Sequence, residues 1–248
     1  MKIVIFDLDG TLAESKSPIG SSMGDALKLL LQRYDVAIIS GGAWEQFERQ
    51  VLDQLQLDDQ EKRRLYLLPT SGTTFYRFVD GAWTCVYSDK LTVDEASKIK
   101  DAFRKLINDS SLELPKKTWG EILENRGTQF TFSAMGQQAP VEEKKNWDPN
   151  FSKRLKMIEF LRPLLPEFEI RTGGSTSIDV TRRGIDKSYG IFRLEEIVGI
   201  KKQEMVFVGD ALFPGGNDRA VYEVGVECIE TWGPEETLNM IASFLNDC

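Results

Sequence analysis

Asp7 and Asp9 stand two residues apart at the end of an apolar run, Ile3-Val4-Ile5-Phe6, and Gly10 and Thr11 follow at once. Alternation along an extended chain puts both carboxylates on one side, and glycine lets the backbone turn sharply behind them. Two such acids repel each other unless a cation or a proton lies between them. A second apolar run, Met205-Val206-Phe207-Val208, ends the same way on Gly209-Asp210, with Pro214-Gly215-Gly216-Asn217-Asp218 just beyond. Asp7, Asp9, Asp210, Asn217 and Asp218 thus make an oxygen-only set of the kind that suits Mg²⁺, which commonly bridges protein carboxylates and a substrate phosphate. A third run, Val36-Ala37-Ile38-Ile39, closes on Ser40-Gly41-Gly42. A hydroxyl beside free backbone N–H groups at a helix start is a phosphate-binding arrangement, although serine is equally common as a plain N-cap.

The composition narrows the chemistry further. The 248 residues include no histidine, which removes Ser-His-Asp and Cys-His catalysis, imidazole acid–base chemistry and histidine-ligated metals. Carboxylates, hydroxyls, lysine or an oxygen-bound cation must do any catalytic work. Three cysteines (Cys85, Cys228 and Cys248) are widely spaced and odd in number, which fits a reducing compartment and gives no thiolate zinc site. The formal net charge of −8 argues against a nucleic-acid partner. The apolar run at the start is too short for a signal segment, and no stretch reaches the ~18 apolar residues of a membrane span. The expected location is the cytoplasm, with no membrane partner.

The elements that must position these residues read as strands and helices in alternation. Ile3–Phe6, Val36–Ile39 and Met205–Val208 are continuous apolar runs, the pattern of strands buried on both faces of a parallel sheet. Leu27, Leu30 and Leu31 mark a helix over 25–34, and further helices are expected over 44–55, 191–197 and 235–245, with a short strand over 226–229. The middle of the chain differs. A helix is expected over 92–107 and another over 155–161, ended by Pro163, with strands over 129–133 and 177–180. The simplest organisation is a parallel-sheet α/β core built from residues 1–82 and 185–248, with 83–184 inserted as an α+β domain.

Asp7/Asp9, Ser40, Lys187 and Asp210, in that order and mostly at expected sheet edges, resemble the four motifs of the haloacid dehalogenase (HAD) superfamily of phosphotransferases. The Asp7-Leu8-Asp9-Gly10-Thr11 signature is the sharpest of them. The resemblance implies a Rossmann-like HAD core with an inserted α+β cap domain of the type IIB group. It also implies Asp7 as nucleophile, Asp9 as general acid and base, Ser40 and Lys187 as phosphate clamps, and Asp210 as a Mg²⁺ ligand. Within the superfamily the chain is most similar to eukaryotic-type phosphomannomutases, over nearly its whole length. Asn125-Arg126-Gly127, Ser133-Ala134-Met135-Gly136, Gly173-Gly174-Ser175-Thr176-Ser177-Ile178-Asp179-Val180 and the 214–218 segment follow that pattern in order. The likeness implies a small sugar phosphate as substrate, with Ser177 and Asp179 on sugar hydroxyls and Arg126 on the distal phosphate.

The chain also departs from the pattern. Lys16, Gln137 and Lys144 stand where the resemblance leads one to expect arginines that grip a bisphosphorylated intermediate. Lysine lacks the bidentate fork of arginine and glutamine carries no charge, so a weaker grip should favour hydrolysis over reorientation. The expectation is therefore a sugar-phosphate phosphatase, with a phosphomannomutase as the alternative. No GxxxxGK[ST] or GxGxxG sits at a strand–helix junction, so a P-loop or dinucleotide enzyme ranks below both. The sequence leaves the sugar and the oligomeric state open, a homodimer included.

Overall fold

The computed structural model describes residues 1–173 and 175–246, with the backbone alone at Val141. Gly174, part of the 173–180 pattern, and Cys248 lie outside the described residues. The chain divides into two compact units, one of Met1–Ser88 with Asp186–Cys248 and one of Asp89–Ile185.

The first unit opens with β1 (Ile3–Asp7), α1 (Ser21–Leu31), β2 (Asp35–Ile39), α2 (Trp44–Gln50) and the short α3 (Asp59–Arg63). It continues through β3 (Leu65–Leu68), a single turn α4 (Pro69–Gly72), β4 (Thr74–Val79) and β5 (Ala82–Ser88). The second unit holds α5 (Val93–Ile107), β6 (Leu123–Asn125), β7 (Phe130–Ser133), α6 (Val141–Trp147), α7 (Ser152–Leu161), β8 (Phe168–Gly173) and β9 (Ser177–Arg182). The chain then returns with α8 (Lys187–Val198), β10 (Met205–Gly209), α9 (Arg219–Glu223), β11 (Glu227–Glu230) and α10 (Pro234–Asn246).

Seven strands of the first unit form one sheet in the order β11-β10-β1-β2-β3-β4-β5. The first five run parallel, while β4 and β5 are antiparallel additions at one edge. β1 lies near the centre and is buried on both faces, which is why its sequence is continuously apolar. Val4, Phe6, Val36 and Ile38 pack towards Leu27 and Leu30 of α1. Ile3, Ile5, Ala37 and Ile39 pack on the other face with Ile191 and Leu194 of α8. Each of these side chains larger than alanine, fully buried, contributes roughly 1.5–3 kcal/mol. Register then fixes the site: Phe6 pairs with Val208 and Asp7 with Ile39, so Asp7, Ser40 and Asp210 emerge at the same sheet edge.

The structure moves the expected inter-domain boundary at 83 to 89. Ala82–Ser88 is β5, hydrogen-bonded along β4 and stacked through Phe75 and Tyr87, so it belongs to the core sheet. Several helices also differ in extent: α1 runs over Ser21–Leu31 where 25–34 is expected, and α7 over Ser152–Leu161 where 155–161 is expected. The expected 44–55 helix stops at Gln50 and passes into a 3₁₀ turn at Leu52–Gln54. α8 starts four residues earlier than the apolar spacing suggested, because the Asp186 carboxylate accepts from the Ser188 N–H and caps it at Lys187.

The second unit is an antiparallel sheet, β6-β7-β9-β8, covered by α5 and α7. Phe103 stacks on Phe132, and Ile99, Leu106, Met157, Leu161, Ile178 and Val180 close that core. Among the described residues no helix is long and apolar enough to cross a membrane.

Candidate active site

The carboxyl ends of parallel strands are where open α/β sheets bind ligands. Here the ends of β1 and β10 bring Asp7, Asp210 and Asp218 together, with one carboxylate oxygen of each within 4.8 Å of the others. Lys187, 1% exposed, reaches this group from the first position of α8. Its Nζ donates to Asp7 Oδ1 at 2.6 Å and to Asp218 Oδ1. A lysine at a helix N-terminus opposes the helix dipole, so the carboxylates must hold it there. Burial alone would lower the Lys187 pKa, but Asp218 and Asp7 outweigh it and keep the ammonium above its ordinary range.

One ammonium does not neutralise three carboxylates. Burial pushes the Asp7 carboxyl well above the usual carboxylate range; Lys187 opposes this, while Asp218 and Asp210 add to it. Burial and then Asp218 raise Asp210 in the same direction. An oxygen-only donor set short of positive charge fits a hard divalent cation, and no histidine or cysteine competes for the position. Asp218 also accepts from the Ala211 N–H through Oδ2 at 3.0 Å, so it fixes Lys187 and the loop that follows β10. Gly10 has φ +92°, and a Cβ there would run into the Asp210 carboxylate. Its absence lets the 7–13 turn and the 210 loop meet.

The Asp9 carboxylate lies outside this group of three acids. After Asp7 the chain leaves the extended form, and the N–H groups of Leu12 and Ala13 both donate to the Leu8 carbonyl. The Asp9 carboxylate instead accepts from Gln46 Nε2 at 2.9 Å, Gln50 Nε2 at 3.1 Å and the Lys16 N–H at 2.7 Å. Sequence reasoning missed both glutamines. Their signal was a pair spaced i, i+4 on the helix that follows the Ser40 loop. Lys16 therefore serves Asp9 through its backbone, at φ 58°, with its residue exposed.

Ser40 is buried, and its Oγ accepts from the Gly42 N–H at 3.2 Å. The loop is braced from α4, where the Ser71 N–H donates to the Ser40 carbonyl and the Thr70 N–H to that of Gly42, each at 2.8 Å. Thr70 and Ser71 are both left-handed, at φ 49° and 57°, a strained pair for non-glycine residues. Gly41 is half-buried in this loop, and Asn217 lies exposed between Asp210 and Asp218. A groove of about 870 Å³ elsewhere on this unit runs between Leu12–Pro18 and Trp232–Asn239, and none of the clustered acids lines it.

The other expected substrate residues lie in the second unit. Ser177 Oγ is 2.9 Å from Ser133 Oγ, and Asp179 Oδ1 accepts from Thr131 Oγ1 at 2.6 Å. Arg126 makes a bidentate contact with Glu124 Oε2, at 3.0 Å from Nε and 2.8 Å from Nη2. Lys144 Nζ donates to the Gln137 carbonyl at 3.2 Å.

The family model for eukaryotic phosphomannomutase matches residues 23–247. The chain belongs to the eukaryotic phosphomannomutase family. It is 27% identical over 258 residues to the phosphomannomutase of Saccharomyces cerevisiae, covering 98% of this chain and 94% of that one. Among solved structures it is similar to a truncated IMP-nucleotidase from Plasmodium falciparum, with a TM-score of 0.73 at 13% identity over 99% of this chain and 68% of that one. It is also similar to a haloacid dehalogenase-like hydrolase from Bacteroides thetaiotaomicron, with a TM-score of 0.61 at 14% identity over 98% and 99% of the two chains. Those structural likenesses carry the fold, an α/β HAD-like core with a parallel sheet. The family places the chain among enzymes of phosphate-ester chemistry.

Proposed function

We propose that this chain is a Mg²⁺-dependent phosphomannomutase that moves a phosphoryl group on a hexose phosphate through an aspartyl-phosphate at Asp7. Sequence reasoning alone ranks hydrolysis first; membership of a family whose relatives bear the name phosphomannomutase moves the mutase ahead. The observation that carries the chemistry is Asp7 itself, a buried strand-end carboxylate held by Lys187 beside Asp210 and Asp218.

In this reading an Asp7 oxygen attacks phosphorus, the bond from phosphorus to the sugar oxygen breaks, and Asp9 gives the leaving oxygen its proton. A free hydroxyl of a hexose monophosphate then attacks the aspartyl-phosphate, returns its proton to Asp9 and frees Asp7, leaving a bisphosphorylated sugar that reorients and gives its other phosphate to Asp7. Gln46 and Gln50 orient the Asp9 carboxyl for both transfers. Lys187 and the Ser40–Gly42 loop balance charge on the phosphoryl oxygens. Asp7 and Asp210 would hold Mg²⁺, which supplies further neutralisation of that charge. Ser177 and Asp179 would take sugar hydroxyls, and Arg126 the second phosphate. The substrate is a small sugar phosphate in the cytoplasm, with no role for nucleic acid or membrane.

Hydrolysis stays as the second reading because Lys144 points its amine at the Gln137 carbonyl, and neither residue supplies an arginine fork. ³¹P NMR with Mg²⁺, mannose 1-phosphate and a trace of hexose 1,6-bisphosphate separates the two. Growth of mannose 6-phosphate is the expected result. Growth of inorganic phosphate alone would replace the mutase by a phosphatase.

A further inference from the structure

Arg154 heads the fully buried side chains by size, and its partner Asp148 is as deeply buried. A buried guanidinium needs partners for donors that point in fixed directions. The Arg154 Nε and backbone N–H both donate to Asp148 Oδ2, at 2.8 and 3.2 Å, while Asp148 Oδ1 accepts from the Lys153 N–H at 3.0 Å. Arg154 Nη1 then donates to the Gly173 carbonyl at 2.7 Å and lies 3.5 Å from the Ser177 carbonyl. Gly173 and Ser177 are the last cross-strand pair of β8 and β9, so one guanidinium clasps both sides of that hairpin end. Phe151 covers the clasp, with its ring centroid 4.7 Å from Arg154 Cζ, from a left-handed backbone at φ 63°. A buried ion pair and a strained non-glycine residue therefore converge behind one hairpin end. Neither is a cheap way to add stability, since hydrophobic residues of similar size commonly do as well.

The other side of the same hairpin end shows what is being held. Ser177 and Asp179 project there, tied to Ser133 and Thr131. Gly173 lies against Asp179 so closely that a Cβ would sit 2.5 Å from Asp179 Oδ2. A shift of the Gly173 or Ser177 backbone therefore moves both polar side chains. We propose that Arg154, locked by Asp148, is a positioning residue that sets Ser177 and Asp179 to read the hydroxyls of a polyhydroxylated phosphate ester. The inference rests on the sugar-phosphate reading above and adds the group that gives it geometric selectivity. The fork is the useful property, because only arginine spans Asp148 and the two carbonyls with one rigid plane.

Arg154→Lys keeps the charge and loses the span. With the sugar phosphate, KM should rise about tenfold while kcat stays within about twofold, since the misplaced groups bind and do not react. Turnover of p-nitrophenyl phosphate, which offers no hydroxyls, should stay at the wild-type value. The double variant D148L/R154M replaces the pair by apolar residues and should give the same split, even if the lysine variant fails to fold. Ser177→Ala and Asp179→Ala are assayed alongside. If these raise KM and both Arg154 variants leave it unchanged, the positioning role is refuted while the sugar reading stands. If all four leave KM unchanged, the sugar reading falls and the inference with it. A parallel loss on both substrates in a folded Arg154 variant would reduce the pair to ordinary structural support and overturn the proposal.

Discussion

Removing the Lys187 ammonium tests whether the acidic cluster is an electrostatic unit. Lys187→Met keeps most of the side-chain bulk but strands Asp7 and Asp218, whose side chains are 6% and 0% exposed, next to Asp210. Breaking a buried pair by deleting one partner costs about 3–5 kcal/mol. The loss of an unfavourable charge at the start of α8 returns less than about 1 kcal/mol of this. Spread over a chain of this size, at roughly 2–4 °C per kcal/mol, the expected fall in Tm is about 4–20 °C in EDTA. A divalent cation bound by the remaining carboxylates would recover part of it, about 2.7 kcal/mol at a hundredfold excess over Kd. Melting followed by circular dichroism, with EDTA and with Mg²⁺, reads both quantities. A fall below about 2 °C in EDTA would refute the buried, paired state of Lys187. A Tm that Mg²⁺ raises in neither the wild type nor the variant would refute cation binding by the cluster.

Two further outcomes follow from other parts of the chain. Gly10→Ala places a Cβ against the Asp210 carboxylate at a φ that alanine resists, and the displaced acid should lower kcat by about 100-fold; steady-state kinetics with activity within about twofold of wild type would remove Gly10 from the site. Glu95 is held down to about 2, first by the Arg182 guanidinium and then by the Thr92 N–H of its capping box. The stability this adds is complete above its ordinary value of 4.5 and is lost as pH falls towards 2. Glu95→Gln should therefore flatten the acid limb of Tm against pH in that window, and an unchanged limb would contradict the pairing.

The parts of this molecule that were legible beforehand are those in which one strand carries its own explanation. β1, β2 and β10 are buried on both faces, so their apolar runs identify them, and an acid or serine at the end of such a run is conspicuous. β5 is largely exposed and carries no such run, so nothing in its own pattern ties it to the core sheet. β6 has only three residues, too few to show a period. The glutamines that hold Asp9 and the Asp148–Arg154 clasp acquire meaning only from partners distant in space. Alternation likewise placed Asp9 beside Asp7, because nothing local announced that the backbone would wind back onto the Leu8 carbonyl.

The pairing of β1 with β10 has a consequence for how the chain is made. Asp7 leaves the ribosome 180 positions ahead of Lys187, and β10 follows later still. At about 5–20 residues per second that interval lasts roughly 9–36 s. Throughout it β1 can pair with β2 on one side while its other edge, five residues of IVIFD, offers unmet backbone groups to any strand nearby. A ribosome that stalls within the insertion holds the nascent chain in that state. The central position that later shields the nucleophile leaves β1 with an open edge during synthesis.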